Sequence, residues 1–442
     1  MIEHTKPLVA IVGRPNVGKS TLFNRLTGQR RSIVTDVPGT TRDRVITETE
    51  WGGHFFMLVD TGGLDEFPDT QLWSSVRAQI ELAIDEADVI IAMVDASTGM
   101  TAADEDVGHA LRKASTRLVL VANKADNEMR AAAATEFYRL GLGDPLPISA
   151  YHNIGVDEMM EEVIAHFPAE TAFPTPDADL KLAIVGRTNA GKSMLLNAIT
   201  GEERAIVSET PGTTRDTVDS LVTYDERSVL LIDTAGIRRR GKVERGIERY
   251  SVLRAIRAID RADVAVLLLD ATELATDQDT HIASYILEAH RGIVLAVNKW
   301  DLARDLETDE EEATRKVRQR FKFATYAPLC FVSALRRDGI GELLETAHAV
   351  YRRWSTGLPR YDLRRTVLNA IASHPPSASG RHSLKIFGVT QDQAGPPSFT
   401  FYVNRSDMVH FSYQRYLENA LRSAYDFEGS PLRMRFKGRG EG

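Results

Sequence analysis

Two short glycine-rich segments carry the residue types best suited to phosphate chemistry. GRPNVGKS occupies residues 13–20 and GRTNAGKS occupies residues 186–193. In such a loop the glycines let backbone amides surround a phosphate, the lysine reaches the outer phosphates, and the serine hydroxyl can bind Mg²⁺. Each segment follows an apolar run and precedes a helix-like stretch, whose positive end adds to the attraction for phosphate. The sequence therefore predicts two phosphate-binding loops.

The residues expected to contact nucleotide in the first loop are Gly13, Arg14, Pro15, Asn16, Val17, Gly18, Lys19, Ser20 and Thr21. In the second loop they are Gly186, Arg187, Thr188, Asn189, Ala190, Gly191, Lys192, Ser193 and Met194.

A second repeated motif, NKxD, predicts which base is bound. A carboxylate in the plane of a purine can accept two hydrogen bonds from guanine, from its ring N–H and its exocyclic amine, whereas adenine offers no such pair of donors. Asp126 and Asp301 are the predicted acceptors. In both copies the motif ends an apolar run, and ligands of open α/β sheets collect at the carboxyl ends of the strands. The supporting residues are expected to be Asn123, Lys124, Ser149 and Ala150, and Asn298, Lys299, Ser333 and Ala334, with each Ser-Ala pair offering a backbone amide to guanine O6.

Two further motifs predict the contacts to Mg²⁺ and to the γ-phosphate. In DTGG and DTAG, Asp60 and Asp233 are expected to reach Mg²⁺ through water, and Gly63 and Gly236 to offer an amide to the γ-phosphate. In the two PGTTRD segments a threonine is expected to close on Mg²⁺ only in the triphosphate state. The candidates are Thr41 and Thr214, preferred here, with Thr40 and Thr213 as alternatives.

These motifs recur at a constant spacing, which indicates a duplicated domain. The offset is 173 residues for the loop lysines, the PGTT threonines and the DTxG aspartates, and 175 residues for NKxD. Continuous apolar runs alternate with helix-like stretches in each copy, which favours an α/β fold with a mostly parallel sheet covered on both faces. We expect domains over 1–167 and 180–351, a proline-rich linker over 168–179, and a smaller α+β domain over 352–442.

Composition limits the other possibilities. The 442 residues carry a net charge of −8, but from Arg352 onward 14 Lys or Arg face 7 Asp or Glu, so this end is basic and favours a polyanionic partner, unless its arginines pair with the acidic body. The single cysteine, Cys330, excludes a disulfide framework and is predicted to be a buried strand residue. The chain shows neither a membrane span nor a signal peptide, and we expect it in the cytoplasm.

The complete set of motifs resembles the Era-like P-loop GTPases, and the tandem arrangement resembles the bacterial double-Era GTPases, the Der or EngA family. IDTAGIRRRGKVERGIERYSVLRA (232–255) and the tail segments RYLENALR and SPLRMRFK are family-like beyond the nucleotide motifs. The resemblance implies GTP hydrolysis with GTP and GDP at two sites, a KH-like C-terminal domain, and a role in assembling the large (50S) ribosomal subunit, with ribosomal RNA as partner and the chain as a monomer. Two departures are Thr188 and Ala190, where Pro and Val are common. The tail also lacks a GxxG loop, which argues against ordinary KH-type RNA binding.

The residues after DTxG, Leu64 and Ile237, cannot orient a water molecule as the glutamine of Ras does, so we expect slow intrinsic hydrolysis. In related GTPases an asparagine of the phosphate loop binds K⁺, which takes the place of an arginine finger. Asn16 and Asn189 are the candidates here, and the alternative is that each only stabilises its turn. The residues expected to act in hydrolysis are Lys19, Asn16, Thr41, Lys192, Asn189 and Thr214.

Two other functions stay open from the sequence. Relatives that share PGTTRD and the loop asparagine act with a tRNA-modification enzyme, although their additional helical and cysteine-bearing segments are not visible here. In a third possibility one of the two sites is hydrolytically silent and binds GTP for structure alone.

Overall fold

The computed structural model describes residues 6–28, 46–61, 83–84, 86–114, 116–168, 178–201, 206–211, 218–234, 251–303, 305, 307–376, 378–379 and 382–438. These residues fall into two compact units, 6–168 and 178–438.

The first unit is a six-stranded sheet covered by helices. Its strands are β1 (Leu8–Val12), β2 (Ile46–Trp51), β3 (His54–Asp60), β4 (Val89–Asp95), β5 (Arg117–Asn123) and β6 (Leu146–Pro147), in the spatial order β2-β3-β1-β4-β5-β6. β2 pairs antiparallel with β3, and the remaining neighbours are parallel. All seven residues of β4 are buried, as expected for a strand with helices on both faces.

The helices of this unit are α1 (Lys19–Gly28), α2 (Ala102–Leu111), α3 (Glu128–Ala133) and α4 (Val156–Ala165). Leu22 of α1 and Met159 of α4 pack in the core on one face of the sheet. Leu111 of α2 packs on the other face with Phe137, which lies in a 3₁₀ turn. The apolar runs of the sequence are therefore buried from two sides.

The second unit begins with a sheet of the same plan. Its strands are β7 (Leu180–Val185), β8 (Ile206–Pro211), β9 (Val218–Tyr224), β10 (Arg227–Ile232), β11 (Val264–Asp270), β12 (Gly292–Asn298) and β13 (Leu329–Phe331), in the order β13-β12-β11-β7-β10-β9-β8. Its helices are α5 (Lys192–Thr200), α6 (Ser251–Arg261), α7 (Asp277–Glu288), α8 (Glu310–Arg320) and α9 (Ile340–Trp354). Cys330 lies buried in β13, as predicted, and burial raises the pKa of its thiol.

The second unit ends in a smaller α+β layer. It contains α10 (Arg360–Ser373), β14 (Ala378–Ser379), β15 (His382–Ser383), β16 (Ile386–Gln393), β17 (Ser398–Val403), α11 (Phe411–Ala424) and β18 (Arg433–Gly438). β16 pairs antiparallel with β17, which pairs parallel with β18. Val367 of α10 and Leu421 of α11 share one core with Phe399 and Phe401 of β17. The predicted fold class, two tandem α/β domains followed by an α+β domain, is confirmed.

One strand of this layer differs from the sequence prediction. The apolar residues of SLKIFGV (383–389) predict a strand over that segment, but β16 begins at Ile386 and continues to Gln393. Its polar end pairs with the apolar β17, with Gln391 opposite Phe399. The apolar pattern underestimates this strand because its last residues are polar.

The α+β layer is docked on the start of β12. The Ile293 N–H donates to the Gly429 carbonyl at 2.8 Å, and the Gly429 N–H donates to the Tyr326 carbonyl at 2.7 Å. The Arg422 guanidinium lies 3.7 Å from the centre of the Tyr326 ring. Because β12 ends at Asn298, the same strand carries this docking contact at one end and the NKxD motif at the other.

Candidate functional site

The phosphate loops join the first strand of each sheet to the next helix. β1 ends at Val12 and α1 begins at Lys19, and the loop between them places Asn16 at φ 65° and Gly18 at φ 102°. A Cβ atom on Gly18 would overlap the side-chain amide of Asn123, so glycine is required for both conformation and space. The second loop repeats this geometry, with Asn189 at φ 64° and Gly191 at φ 96°.

The two loop lysines fold back over their own loops. Lys19 Nζ donates to the carbonyl of Gly13 at 2.9 Å and to that of Arg14 at 3.1 Å. Lys192 Nζ makes the equivalent bonds to Gly186 and Arg187 at 2.7 and 2.6 Å. Each ammonium therefore lies at the centre of the loop that is expected to surround a phosphate.

The asparagine of each NKxD motif ties three loops together. Asn123 Nδ2 donates to the Val17 carbonyl at 2.8 Å, and the Ala150 N–H donates to Asn123 Oδ1 at 2.9 Å. Asn298 makes the same two contacts, to the Ala190 carbonyl at 2.8 Å and from the Ala334 N–H at 3.0 Å. The phosphate loop, the base motif and the Ser-Ala loop are thus held as one assembly. The amides of Ala150 and Ala334 are engaged within the protein, so their predicted contact to guanine O6 stays a prediction.

The two predicted base-binding carboxylates are positioned by serines. Ser149 Oγ donates to Asp126 Oδ1 at 2.7 Å, and Ser333 Oγ donates to Asp301 Oδ1 at 2.6 Å. In the first domain Asp126 Oδ2 also accepts a hydrogen bond from Arg130 at 2.7 Å. Both Asp126 oxygens are therefore engaged, a difference that the sequence prediction missed.

The lysine of each NKxD motif is held by a carboxylate at the end of the neighbouring strand. Lys124 Nζ donates to Asp95 Oδ2 at 2.7 Å and to the Asn16 carbonyl at 2.8 Å, and Lys299 Nζ donates to Asp270 Oδ2 at 2.6 Å. Burial alone would raise the pKa of Asp95, but hydrogen bonds from Lys124 and Ser97 outweigh it and lower that pKa. The same balance lowers the pKa of Asp270, so both carboxylates stay ionised beside their lysines.

Two of the three predicted Mg²⁺ ligands of the first domain, Ser20 and Asp60, lie together. Ser20 Oγ donates to Asp60 Oδ2 at 2.6 Å. Oxygen ligands of this kind suit Mg²⁺, which typically keeps several waters and takes one or two carboxylates together with substrate phosphates. The described residues contain no group of three or more His, Cys, Asp and Glu that could hold a metal unaided. The pair therefore fits a metal that is completed by a bound nucleotide.

The corresponding aspartate of the second domain is held differently. Asp233 adopts φ 57°, and its N–H donates to Asp219 Oδ1 at 2.9 Å. Asp219 in turn forms an ion pair with Arg261 of α6, and both side chains are largely buried. Ile46 stands at the position of Asp219 in the first domain, so this support belongs to the second copy.

The remaining predicted residues of the two phosphate loops differ in how far they are buried. Val17 and Ala190 are buried, and Thr188 and Ser193 are half-buried. The exposed residues of the two loops are Pro15, Asn16, Ser20, Thr21, Asn189 and Met194. The switch residues lie outside the described residues, and their roles stay predictions; they are Thr40, Thr41, Gly63, Leu64, Thr213, Thr214, Gly236 and Ile237.

Sequence reasoning missed the acidic partners of the site. Asp95 and Asp270 end strands β4 and β11 and occupy equivalent places in the repeat, in VDAS and LDAT. Comparing the two copies at every strand end would have identified them. No comparable signal marks Arg130, Asp219 or Arg261, because each occurs in one copy alone.

Comparison with known proteins agrees with this geometry. A family model described as a 50S ribosome-binding GTPase matches residues 8–124 and 181–299, and a model of the C-terminal KH-domain-like region of EngA bacterial GTPases matches residues 358–437. GTPase Der of Chloroflexus aggregans is 49% identical over 98% of this chain and 98% of its own length. GTPase Der of Herpetosiphon aurantiacus is 50% identical, over 99% of this chain and 97% of its own.

Among solved structures, the G domain of the T. maritima FeoB iron transporter is 25% identical, with a TM-score of 0.28, and covers 39% of this chain and 98% of that domain. The full-length matches, together with the EngA-type C-terminal model, disfavour the alternative of a partner for a tRNA-modification enzyme. No helix within the described ranges is both long and apolar enough to cross a membrane. Two GTPase domains followed by a KH-like domain, matched along nearly the whole chain at about half identity, show that the chain belongs to the Der (EngA) family of GTPases.

Proposed function

We propose that the chain is a GTP-driven switch in the assembly of the large (50S) ribosomal subunit, with two nucleotide sites. The observation that carries this is the duplication of one complete network: a loop lysine, a bridging asparagine and a serine-held aspartate occur in both domains. The match to a 50S ribosome-binding GTPase model and the basic C-terminal segment support the proposal of this partner. In this proposal the product is a conformational state that the ribosome precursor senses.

At each site different side chains bind the base and the phosphates. Guanine donates to Asp126 or Asp301, and the β- and γ-phosphates draw Lys19 or Lys192 away from the carbonyls they now contact. Mg²⁺, when bound, neutralises developing phosphate charge. Ser20 and Asp60 would hold it in the first site and Ser193 and Asp233 in the second, the aspartates through water. Thr41 and Thr214 would supply a further oxygen ligand in the triphosphate state, and Gly63 and Gly236 would offer their amides to the γ-phosphate.

Hydrolysis is proposed to depend on K⁺ near Asn16 and Asn189. The left-handed conformation of both residues, φ 65° and 64°, is also the reason an asparagine stabilises such a turn. Substitution by glycine separates the two roles, because glycine keeps the turn and removes the side-chain oxygen. If K⁺ is bound, Asn16→Gly in a Lys192→Ala chain and Asn189→Gly in a Lys19→Ala chain each remove K⁺ stimulation of the one remaining site; turnover that stays higher in K⁺ than in Na⁺ in both variants would contradict the proposal.

The ribosomal role is tested by co-sedimentation of the monomeric protein with ribosomal subunits. Binding is measured with a non-hydrolysable GTP analogue, with GDP and without nucleotide. The proposal expects large-subunit binding that depends on the triphosphate, and cytoplasmic localisation with the ribosome pool. If the chain binds no ribosomal subunit in any nucleotide state, the proposed role in ribosome assembly is wrong, whereas the assignment as a GTPase is unaffected.

A further inference from the structure

The arginine that follows the first glycine of each phosphate loop is anchored differently in the two domains. In the first domain Arg14 Nε lies 3.2 Å from both carboxylate oxygens of Asp104, and Arg14 NH2 donates to Thr98 Oγ1 at 2.6 Å. Asp104 is buried and also forms the capping box of α2 with Thr101. The first loop is therefore fixed to a buried carboxylate.

In the second domain the arginine, Arg187, is paired with a glutamate instead of with the carboxylate equivalent to Asp104. Glu273 stands where the first domain has Thr98, and it forms an ion pair with Arg187. The Glu273 carbonyl also accepts a hydrogen bond from Arg187 at 3.3 Å. Asp279, the counterpart of Asp104, keeps its capping box with Thr276: the Thr276 N–H donates to Asp279 Oδ2 at 2.9 Å and the Asp279 N–H donates to Thr276 Oγ1 at 3.4 Å.

This change of partner leaves two buried polar atoms unsatisfied. Within the described part of the chain, Arg187 Nε and Asp279 Oδ1 are buried and have no hydrogen-bond partner. Asp279 is 0% exposed, whereas the Glu273 side chain is 65% exposed. Burial raises the pKa of Asp279 despite opposing hydrogen bonds from Thr276 and the charge of Arg187. An unsatisfied buried donor and an unsatisfied buried acceptor are each costly, and the charge of Arg187 acts on Asp279, so the bond seen in the first domain is an accessible alternative.

We propose that Glu273 and Asp279 are alternative acceptors for Arg187, and that Glu273 is a positioning residue that makes the second loop release its nucleotide faster than the first. The proposal rests on nucleotide binding by the second domain, as set out above. An ion pair to an exposed carboxylate is screened by water and restrains a loop weakly. A guanidinium bound to a buried carboxylate holds the loop firmly, as Arg14 does, and a preorganised loop retains its ligand better.

Arg187 can transmit this difference because it contacts both halves of the site. Its carbonyl accepts Lys192 Nζ at 2.6 Å, and its guanidinium lies 3.8 Å from Asp270 Oδ2. Asp270 also accepts Lys299 Nζ at 2.6 Å. A shift of Arg187 toward Asp279 therefore moves charge away from the carboxylate that positions the base-motif lysine.

The experiment measures the release of fluorescent mant-GDP from the full-length chain carrying Lys19→Ala, which leaves the second site as the site under study. Glu273→Thr, the residue of the first domain, is expected to slow release about fivefold, since it exchanges a screened pair for one charge-assisted buried hydrogen bond. Asp279→Asn is expected to change release little by itself, because Arg187 does not use that carboxylate. In the Glu273→Thr background, Asp279→Asn is expected to restore fast release.

Reciprocal changes in the first domain are the matched control, made in a chain carrying Lys192→Ala. Thr98→Glu and Asp104→Asn are each expected to speed release there, because each removes Arg14 from its buried anchor. Unchanged or faster release in Glu273→Thr, or effects of the two changes that simply add, would overturn the inference while leaving nucleotide binding intact. A Lys19→Ala parent that binds no mant-GDP would defeat nucleotide binding at this site, and the inference with it.

Discussion

The two GTPase domains have the same contacts around their NKxD motifs but differ around their DTxG aspartates. Asn123 and Asn298 make the same contacts with nearly equal distances, as do the serine-held aspartates. The DTxG aspartates differ in backbone: Asp60 ends strand β3, whereas Asp233 has a left-handed backbone whose N–H donates to Asp219. Duplication has thus kept the contacts of the NKxD motif constant and changed the support of the DTxG aspartate.

The second domain also forms one compact unit with the KH-like layer. The KH-like layer contacts Ile293 and Tyr326, at the opposite end of β12 from the base pocket. The two domains therefore carry the same motifs in different structural surroundings. Changes in shared residues should affect both domains alike, and changes in copy-specific residues should affect one.

The largest effect is expected from the shared asparagines. Asn123→Ala and Asn298→Ala each leave a buried carbonyl and a buried amide unpaired and release the phosphate loop from the base motif. We expect loss of guanine-nucleotide affinity of about a hundredfold at the altered site, on the order of two lost buried hydrogen bonds with their desolvation cost. Binding measured by isothermal titration calorimetry in chains with one working site should show equal losses in both domains. A loss of affinity in one domain alone would contradict the conclusion that the two domains hold the nucleotide with equivalent contacts.

The next effect concerns Arg261, which belongs to the second copy alone. Arg261→Ala leaves the buried carboxylate of Asp219 without its cation, and removing one partner of a buried pair costs about 3–5 kcal/mol. We expect lower stability of the second unit and slower hydrolysis at its site, because Asp233 loses its backbone support. Asp219→Asn with Arg261→Met removes both charges and should recover stability. Hydrolysis by a Lys192→Ala chain, in which the first site acts alone, should be unchanged by Arg261→Ala.

The third prediction concerns Gly429, where the C-terminal α+β layer contacts the second GTPase domain. Gly429 has φ 72°, and a Cβ atom there would overlap Val350 of α9. Gly429→Ala is expected to destabilise the second unit by about 2–4 kcal/mol through strain and overpacking. Thermal unfolding should show a lower midpoint for this unit, whereas Gly357→Ala, at a position with open space around it, should leave it unchanged. Equal midpoints for the two variants would contradict the docking described here.

The smallest effect is expected at Arg130, whose ion pair with Asp126 is partly exposed. The side chains are 40% and 31% exposed, so water screening limits the pair to about 1 kcal/mol or less. Arg130→Gln frees Asp126 Oδ2 for guanine and should raise GDP affinity of the first site by a few-fold at most. Equilibrium binding in a Lys192→Ala chain measures it. A weaker affinity would show instead that Arg130 helps to hold the carboxylate in place.

The parts of the site that lie in short contiguous motifs were predictable from the sequence. Lys19, Asn123 and Asp126 occur in motifs whose residue types and order determine their chemistry, and the strand ends followed from apolar runs that stop at Asn123 and Asn298. The contacts that distinguish the domains were not predictable in this way. Arg187 follows the same Val-Gly pair as Arg14, and its different partner depends on Glu273, 86 residues away.

The docking of the C-terminal layer was hidden for a similar reason. Gly429 and Ile293 meet through backbone groups, which any residue type supplies, so composition gave no signal. The polar end of β16 was also missed, because its strand pairing does not depend on an apolar pattern. Periodicity and motifs identify elements and local chemistry, whereas long-range partners need the fold.

The central claim, that each domain has its own guanine site read by its own aspartate, is tested most directly by changing the base that one site accepts. An asparagine in place of Asp301 presents an amide donor to the 2-oxo group of xanthine and no longer accepts both guanine hydrogen bonds. The wild-type chain should bind two GDP. Asp301→Asn should bind one GDP and one xanthosine diphosphate, and Asp126→Asn should do the same through the other domain. A variant that still binds two GDP would contradict the account.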